Sequence, residues 1–495
     1  MCIRDSFETL KPIQEPIYTL STPEGIKHTV NTAGTINVSG LWDEGYKGKD
    51  TIIMIIDTGI NQDHVDFKGR INTADSKSFI LSQYGYPEND PSIDDIGGHG
   101  THVAGTAAGA GKANSDYIGM APSAEIIVGR VGRGDGSTRD VITNPGLVAS
   151  FDYAISLDKV DVINLSIGGG DREGEDLLER VVREATESGI TVASSAGNSG
   201  ANGYYTVGTP ATAADCIAVA ALGLTNSRAY FSSIGPSADG FPKPDIAAPG
   251  VNIWAPYIDS STAYASLQGT SMASPHIAGA TNVLVQALNA KTISYDPGLI
   301  KAAMMLTATQ KPNENYLTFG AGVADIGDAF HAVRTAPTNG SGFPVLMWAV
   351  PEMPVEEYYA LPQGFHAELY VQSVSSTPDE DLPPVLTGNI TEIVSLLNTT
   401  SASPNWTKNY KLVIDVPSEI ALGVYSGIIT FETAAGVTAE TYLEFEVIRG
   451  IKKVFYAKMH TNWGSDHYLG QYRLCLLYTS PSPRDRTRSR MPSSA

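Results

Sequence analysis

The sequence predicts an α/β fold over residues 40–335, a mainly parallel sheet with helices on both sides, followed by an all-β sandwich over 336–450. Three observations carry this expectation. Continuous β-branched runs such as Thr51–Ile56, Val160–Leu165 and Ile190–Ala193 suit parallel strands buried on both faces. Helical stretches stand between them, as over Gly174–Ser188, acidic at the front and closed by Gly189. After about Ala336 the apolar residues alternate with the strand period between Pro and Gly turns.

Taken in order, Thr51–Ile56 is a strand that ends at Asp57, and a polar stretch over Ser78–Asp95 separates it from the next motif. A small-residue helix is expected over Thr101–Ala110 and another over Ser271–Leu288, the latter opened by Gly269-Thr270. In the second part Tyr410–Val416, Ser426–Phe431 and Thr438–Val447 read as strands. We expect an N-terminal extension or propeptide remnant over 7–39 and the start of a further, truncated domain over 451–474.

Met1–Ser6 reads as a translated sequencing adapter, and the stretch 475–495 opens with the same adapter read on the opposite strand, so neither is expected to be native. Setting them aside leaves Cys216 as the one cysteine, which excludes an internal disulfide; its apolar neighbours predict a buried, inert thiol. The formal charge is −20, and removing the tail with its four Arg and one Asp takes it to −23. An acidic chain of this kind is a poor binder of nucleic acid or anionic membrane. No stretch approaches the roughly 18 apolar residues of a membrane-spanning helix.

Three Gly-punctuated turns supply a carboxylate, an imidazole and a hydroxyl: Asp57-Thr58-Gly59, Gly98-His99-Gly100-Thr101-His102 and Gly269-Thr270-Ser271-Met272-Ala273-Ser274-Pro275-His276. These are the groups that turn a serine into a nucleophile at neutral pH. In this sequence and order they resemble the motifs of the subtilisin-like serine proteases, the subtilases, over about 40–334. The resemblance implies a subtilisin-like three-layer fold and a serine endopeptidase with Asp57, His99 and Ser271 as catalytic residues. It implies that Asn198, in Ala196-Gly197-Asn198, donates to the oxyanion, and that His102 and His276 are structural. Two histidines at the spacing of His99 and His102 also suit a metal pair, but no further carboxylate or cysteine ligand completes such a site.

The same resemblance assigns Ser166-Ile167-Gly168 and Gly136-Ser137 as two edges that hold an extended peptide, with Ala196, Gly197, Ser199 and Gly208 around the P1 side chain. None of these is charged, which points to large apolar or uncharged P1 residues. Asp66 matches a position that often ligates structural calcium, although the usual partner loop is not recognisable in 109–116; the chemistry itself needs no cofactor. The expected partner is a protein or peptide substrate, and the family works mostly outside the cytoplasm or at the cell surface. Four Asn-X-Ser/Thr sequons fall in the second part, at Asn339, Asn389, Asn398 and Asn405, where a Ser/Thr-rich β-domain also produces them by chance. A different class of function competes: a catalytically silent surface binding or scaffolding protein that keeps a protease fold.

Overall fold

The computed structural model describes residues 9–12, 32–86, 88–134, 141–170, 176–224, 227–311, 314–350, 360–398, 406–448, 455–457 and 472–474. Gly136, Ser137, the Asn405 sequon and both adapter-like ends lie outside the described residues. In chain order the first part runs β1 (Thr9–Pro12), α1 (Thr32–Thr35), α2 (Val38–Asp43), β2 (Ile52–Asp57), β3 (Lys77–Ser78), α3 (His99–Ala108), β4 (Glu125–Arg130), β5 (Ile142–Thr143), α4 (Asn144–Ser156), β6 (Val162–Leu165), β7 (Ile167–Gly168) and α5 (Leu177–Glu187). It continues with β8 (Thr191–Ser195), β9 (Ile217–Leu222), β10 (Ile246–Pro249), β11 (Ile253–Pro256), β12 (Tyr264–Leu267), α6 (Thr270–Ala290), α7 (Pro297–Thr307), α8 (Tyr316–Phe319) and α9 (Ile326–Thr335).

A seven-stranded parallel sheet in the order β10-β9-β8-β6-β2-β4-β3 forms the centre. Strand β2 shows why its sequence is an unbroken apolar run. Ile53 and Ile55 join one core with Val103 and Ala104 of α3 and Ile277 and Leu284 of α6. Met54 and Ile56, one residue out of phase, join a second core with Leu147 and Phe151 of α4 and Val181 and Val182 of α5. Side chains alternate across a strand, so a strand covered on both faces must be apolar at every position. Helix α5 starts with a capping box between Asp176 and Glu179 and ends before Gly189, whose φ of 95° closes the helix.

The chain winds from β2 to β4 on one side of β2 and then to β6 on the other. The carboxyl end of β2 is therefore a switch point of the sheet, the place where open α/β sheets present their ligands. Asp57 is the last residue of β2.

Two four-stranded sheets follow. One has the order β13-β15-β18-β17, built from β13 (Met347–Ala349), β15 (His366–Ser375), β17 (Val394–Asn398) and β18 (Thr407–Asp415). The other has the order β14-β20-β19-β16, built from β14 (Ala360–Pro362), β16 (Val385–Gly388), β19 (Gly423–Glu432) and β20 (Thr438–Ile448). Alternate residues of both, among them Val371, Leu412, Ile429, Phe431, Leu443 and Phe445, share one apolar core. This part docks tightly on the first. Trp348 stacks on Tyr316 with ring centroids 5.4 Å apart, and Trp348 and Val374 belong to the core that contains α6 and α7. The Thr407 N–H donates to the buried Asp215 carboxylate at 2.8 Å.

Candidate active site

Asp57 is fully buried, and its Oδ1 accepts two hydrogen bonds, from the Thr58 backbone N–H at 2.7 Å and from His99 Nδ1 at 2.7 Å. A carboxylate accepts only, so Nδ1 carries the proton and Nε2 of a neutral ring is left as the basic nitrogen. Helix α3 begins at His99 itself, two residues earlier than expected from the sequence. The reason is Gly98, which precedes the helix with φ +87°, a left-handed conformation that opens the first turn directly onto the imidazole. A Cβ at Gly98 would stand 2.4 Å from the Tyr257 ring, and one at Gly100 would stand 2.3 Å from the Gly59 carbonyl oxygen. Both glycines are thus required for α3 to approach the end of β2.

Ser271 is the second residue of α6. Pro275 lies inside that helix and has no N–H to give to the Ser271 carbonyl four residues back. The missing bond is replaced from the sheet: Ser166 Oγ donates to the Ser271 carbonyl oxygen at 2.9 Å. Ser271 Oγ in turn donates to the Ser166 carbonyl oxygen at 3.4 Å. Asn164 Nδ2 donates to Ser166 Oγ at 3.1 Å, and Asn164 Oδ1 accepts from Ser274 Oγ at 2.8 Å. A chain of buried polar groups therefore fixes the start of α6 against β6.

Asn198 follows β8. Its Oδ1 accepts from the Thr270 N–H and from Thr270 Oγ1, both at 2.9 Å. With the oxygen held this way the amide Nδ2 faces away from Thr270, and it is buried without a hydrogen-bond partner. An unpartnered buried donor is costly, about 1–3 kcal/mol, and marks a place where an acceptor belongs.

The remaining sequence-expected residues gather at the same edge. Gly208 N–H donates to the Ala196 carbonyl at 3.1 Å, and Gly169 N–H, next to Ile167-Gly168, donates to the Thr209 carbonyl at 3.0 Å. Ser199 N–H donates to Ser233 Oγ at 3.2 Å, and Gly197 N–H donates to Thr270 Oγ1 at 3.1 Å. Strand β1 runs antiparallel to two short segments at once: Thr9 and Leu10 lie opposite Thr143 and Ile142 of β5, and Lys11 and Pro12 opposite Gly168 and Ile167 of β7. The space between β5 and β7 is therefore shaped for an extended strand.

His102 and His276 have other partners. His102 Nε2 donates to the Ile253 carbonyl at 2.9 Å, with Ala265 O at 3.2 Å, and so ties α3 to the β11–β12 hairpin. Burial pushes its pKa down to about 3. His276 Nδ1 donates to the Met272 carbonyl at 2.8 Å, and burial lowers its pKa to about 4. The Cys216 thiol is buried, and burial pushes its pKa up to about 12, far from a reactive thiolate.

The surroundings of Asp66 do not fit a calcium ion. Its Oδ1 accepts from the Lys112 N–H at 2.7 Å and the Ala113 N–H at 3.4 Å, and its Oδ2 from the Gly111 N–H at 3.1 Å and the Tyr264 hydroxyl at 2.9 Å. Four hydrogens point at the two oxygens, which is the environment of a bound anion, whereas calcium requires six or more oxygens directed at one point. Among the described residues no group of three or more His, Cys, Asp or Glu is placed to hold a metal. Also among the described residues, no helix is long and apolar enough to cross a membrane.

Sequence reasoning passed over two residues here. Asp95 and the fully buried Arg130 both reach Thr58, the residue after Asp57: Thr58 Oγ1 donates to Asp95 Oδ1 at 3.0 Å, and Arg130 Nε donates to the Thr58 carbonyl at 3.0 Å. An acidic residue a few positions ahead of Gly-His-Gly, in a turn that opens a helix, was the available signal for Asp95.

Residues 48–323 match the family described as the subtilase family, peptidase S8. Subtilisin DY of Bacillus licheniformis is 34% identical over 284 residues, covering 57% of this chain and 92% of that protein. Subtilisin NAT of Bacillus subtilis subsp. natto is 34% identical over 310 residues, 62% of this chain and 71% of that protein. The membrane-bound transcription factor site-1 protease of Rattus norvegicus is 31% identical over 315 residues, 62% of this chain and 28% of that protein.

Proposed function

The chain belongs to the subtilase family and is a serine protease, and from that premise we propose that it is an endopeptidase acting through Asp57, His99 and Ser271. The observation that carries this reading is the buried 2.7 Å contact between His99 Nδ1 and Asp57 Oδ1 at the switch point of the sheet. In the proposed reaction Ser271 Oγ adds to the scissile carbonyl carbon and its proton passes to His99 Nε2. Asp57 holds the ring and stabilises the imidazolium. Asn198 Nδ2 and the Ser271 backbone N–H, at the positive end of α6, receive the oxyanion. The C–N bond then breaks as His99 returns the proton to the leaving amine. Water, deprotonated by His99, releases the acid from the Ser271 ester.

Substrate binds as an added strand between the segments at β5 and β7, with Ser166, Ile167 and Gly168 on one side. The double antiparallel pairing of β1 supports this. The expected second edge, Gly136-Ser137, stands six and five residues before β5 in sequence. Ala196, Gly197, Ser199 and Gly208 form an uncharged P1 enclosure that takes large apolar or uncharged side chains. The location proposed is extracellular or cell-surface, following the kinship with the bacillus subtilisins. The test is cleavage of a peptide library with wild type and Ser271→Ala side by side. Cuts after Phe, Leu, Met or Tyr that vanish in the variant support the reading; cuts after Lys, Arg or Asp overturn the P1 assignment.

A further inference from the structure

Asp95 accepts five hydrogen bonds across its two carboxylate oxygens. Oδ1 takes the N–H of Gly97 at 3.0 Å, the N–H of Gly98 at 2.9 Å and the hydroxyl of Thr58 at 3.0 Å. Oδ2 takes the N–H of Thr101 at 2.8 Å and its hydroxyl at 2.7 Å. Thr58 Oγ1, having given its hydrogen to Asp95, accepts the Gly100 N–H at 2.8 Å. Thr101 Oγ1 likewise accepts the Asn61 N–H at 2.9 Å. The carboxylate thus sits at the junction of two segments: the turn 58–61 that follows Asp57, and the turn 97–101 that contains His99. It is buried, and of the opening N–H groups of α3 it takes that of Thr101, for which Gly98 has no side chain to offer.

We infer that Asp95 is a positioning residue that sets the distance between Asp57 and His99 by holding Thr58 and the start of α3 to one carboxylate. Two oxygens and five donors admit only a carboxylate. An asparagine offers one oxygen and presents an NH₂ group to at least two hydrogens that already point at it. The Asp57–His99 contact has no slack at 2.7 Å, and displacement of a catalytic group by about 1 Å costs about 10²-fold in rate. The inference rests on the function proposed above, with Asp57 and His99 as working partners.

The test uses the full chain with Asp95→Asn, Thr58→Val and the double variant, each measured per fluorophosphonate-titrated site. The expected result is a fall in kcat of about 10- to 10²-fold in each single variant with KM within twofold, and a double variant no worse than the worse single one. If kcat per titrated site is unchanged in both single variants and only thermal stability falls, Asp95 is a helix cap and the inference is overturned. The low-field imidazole proton of the Asp57–His99 hydrogen bond, read by NMR in a Ser271→Ala background, decides the matter independently of activity. It should shift or broaden in Asp95→Asn; a resonance identical to that of the parent overturns the inference. Absence of Ser271-dependent hydrolysis in the wild type would instead count against the proposed function and leave the NMR result to judge Asp95.

Discussion

Replacing Asn198 by alanine isolates one hydrogen-bond donor, and the structure sets what that donor is worth. Both acceptor sites on Asn198 Oδ1 are taken by Thr270, from N–H and from Oγ1 at 2.9 Å each, so the amide cannot rotate without losing two bonds. The Nδ2 group is therefore held in place, buried, and unpartnered before substrate arrives. A donor prepared in this way needs no reorganisation as charge develops, and removing one costs about 10²–10³ in kcat, or about 3–4 kcal/mol. That range is general for oxyanion donors, with a subtilisin asparagine among its sources. The ground-state carbonyl gains little from this group, so KM should stay within about threefold. Alanine also strips Thr270 of its acceptor, a loss of about 1–2 kcal/mol in folding stability that leaves the domain folded. The assay is kcat and KM on a peptide anilide, scaled to sites titrated after prolonged labelling, with circular dichroism to confirm the fold. Asn198→Asp keeps the Thr270 contacts but places an anion where the donor stood, and should be at least as slow. An Asn198→Ala enzyme with kcat within threefold of wild type, or a loss confined to KM, refutes the assignment.

Two further outcomes follow from buried groups. The folded pKa of His276 is depressed to about 4 and that of His102 to about 3. The stability from each neutral ring is complete above about pH 6.5, and is lost as pH falls towards the folded pKa because the unfolded chain takes up the proton first, about 2 kcal/mol per histidine by pH 5. Asp296, raised to about 6 by burial, works in the opposite sense and offsets about 1 kcal/mol. Urea unfolding of Ser271→Ala, with and without His276→Gln, should show a drop between pH 7.5 and 5 that is smaller by about 2 kcal/mol in the His276 variant; equal drops would contradict it. At Asp66, exchange to asparagine turns a donor towards the 111–113 amides and should cost about 1–3 kcal/mol, read as a lower thermal midpoint. Millimolar calcium should not raise the wild-type midpoint through this residue, and a calcium-dependent rise that disappears in Asp66→Asn would show that a cation displaces those donors.

The parts of this molecule legible in the sequence are those whose cause is local. The two-faced burial of β2 is written in Thr51–Ile56, and the cap of α5 in Asp176 and Glu179. Asp57, His99, Asn198 and Ser271 each stand in a short motif of their own, so the sequence nominates them without showing which residues meet. What the sequence concealed is pairing across long separations. Asn198 and Thr270 are joined over 72 positions and Ser166 and Ser271 over 105, and neither half of either pair signals the other. Arg130 reads as the polar end of a strand, yet it is buried and holds the turn after Asp57. The start of α3 was misplaced by two residues because a left-handed glycine, not a polar cap, opens it. Asp66 was matched to a calcium ligand by position, whereas the atoms around it are hydrogen-bond donors. The docking of the second part on Asp215 and Tyr316 had no sequence signal, since isolated Asp and Trp residues carry no partner information.

The proposed reaction requires an activated serine at position 271, and covalent labelling by a fluorophosphonate reads that serine out. Stoichiometric modification of the wild-type chain at Ser271, located by peptide mass, is expected, and none in Ser271→Ala or, on the same time scale, in His99→Ala. A folded wild type that remains unlabelled, or labelling that survives in Ser271→Ala, would contradict it.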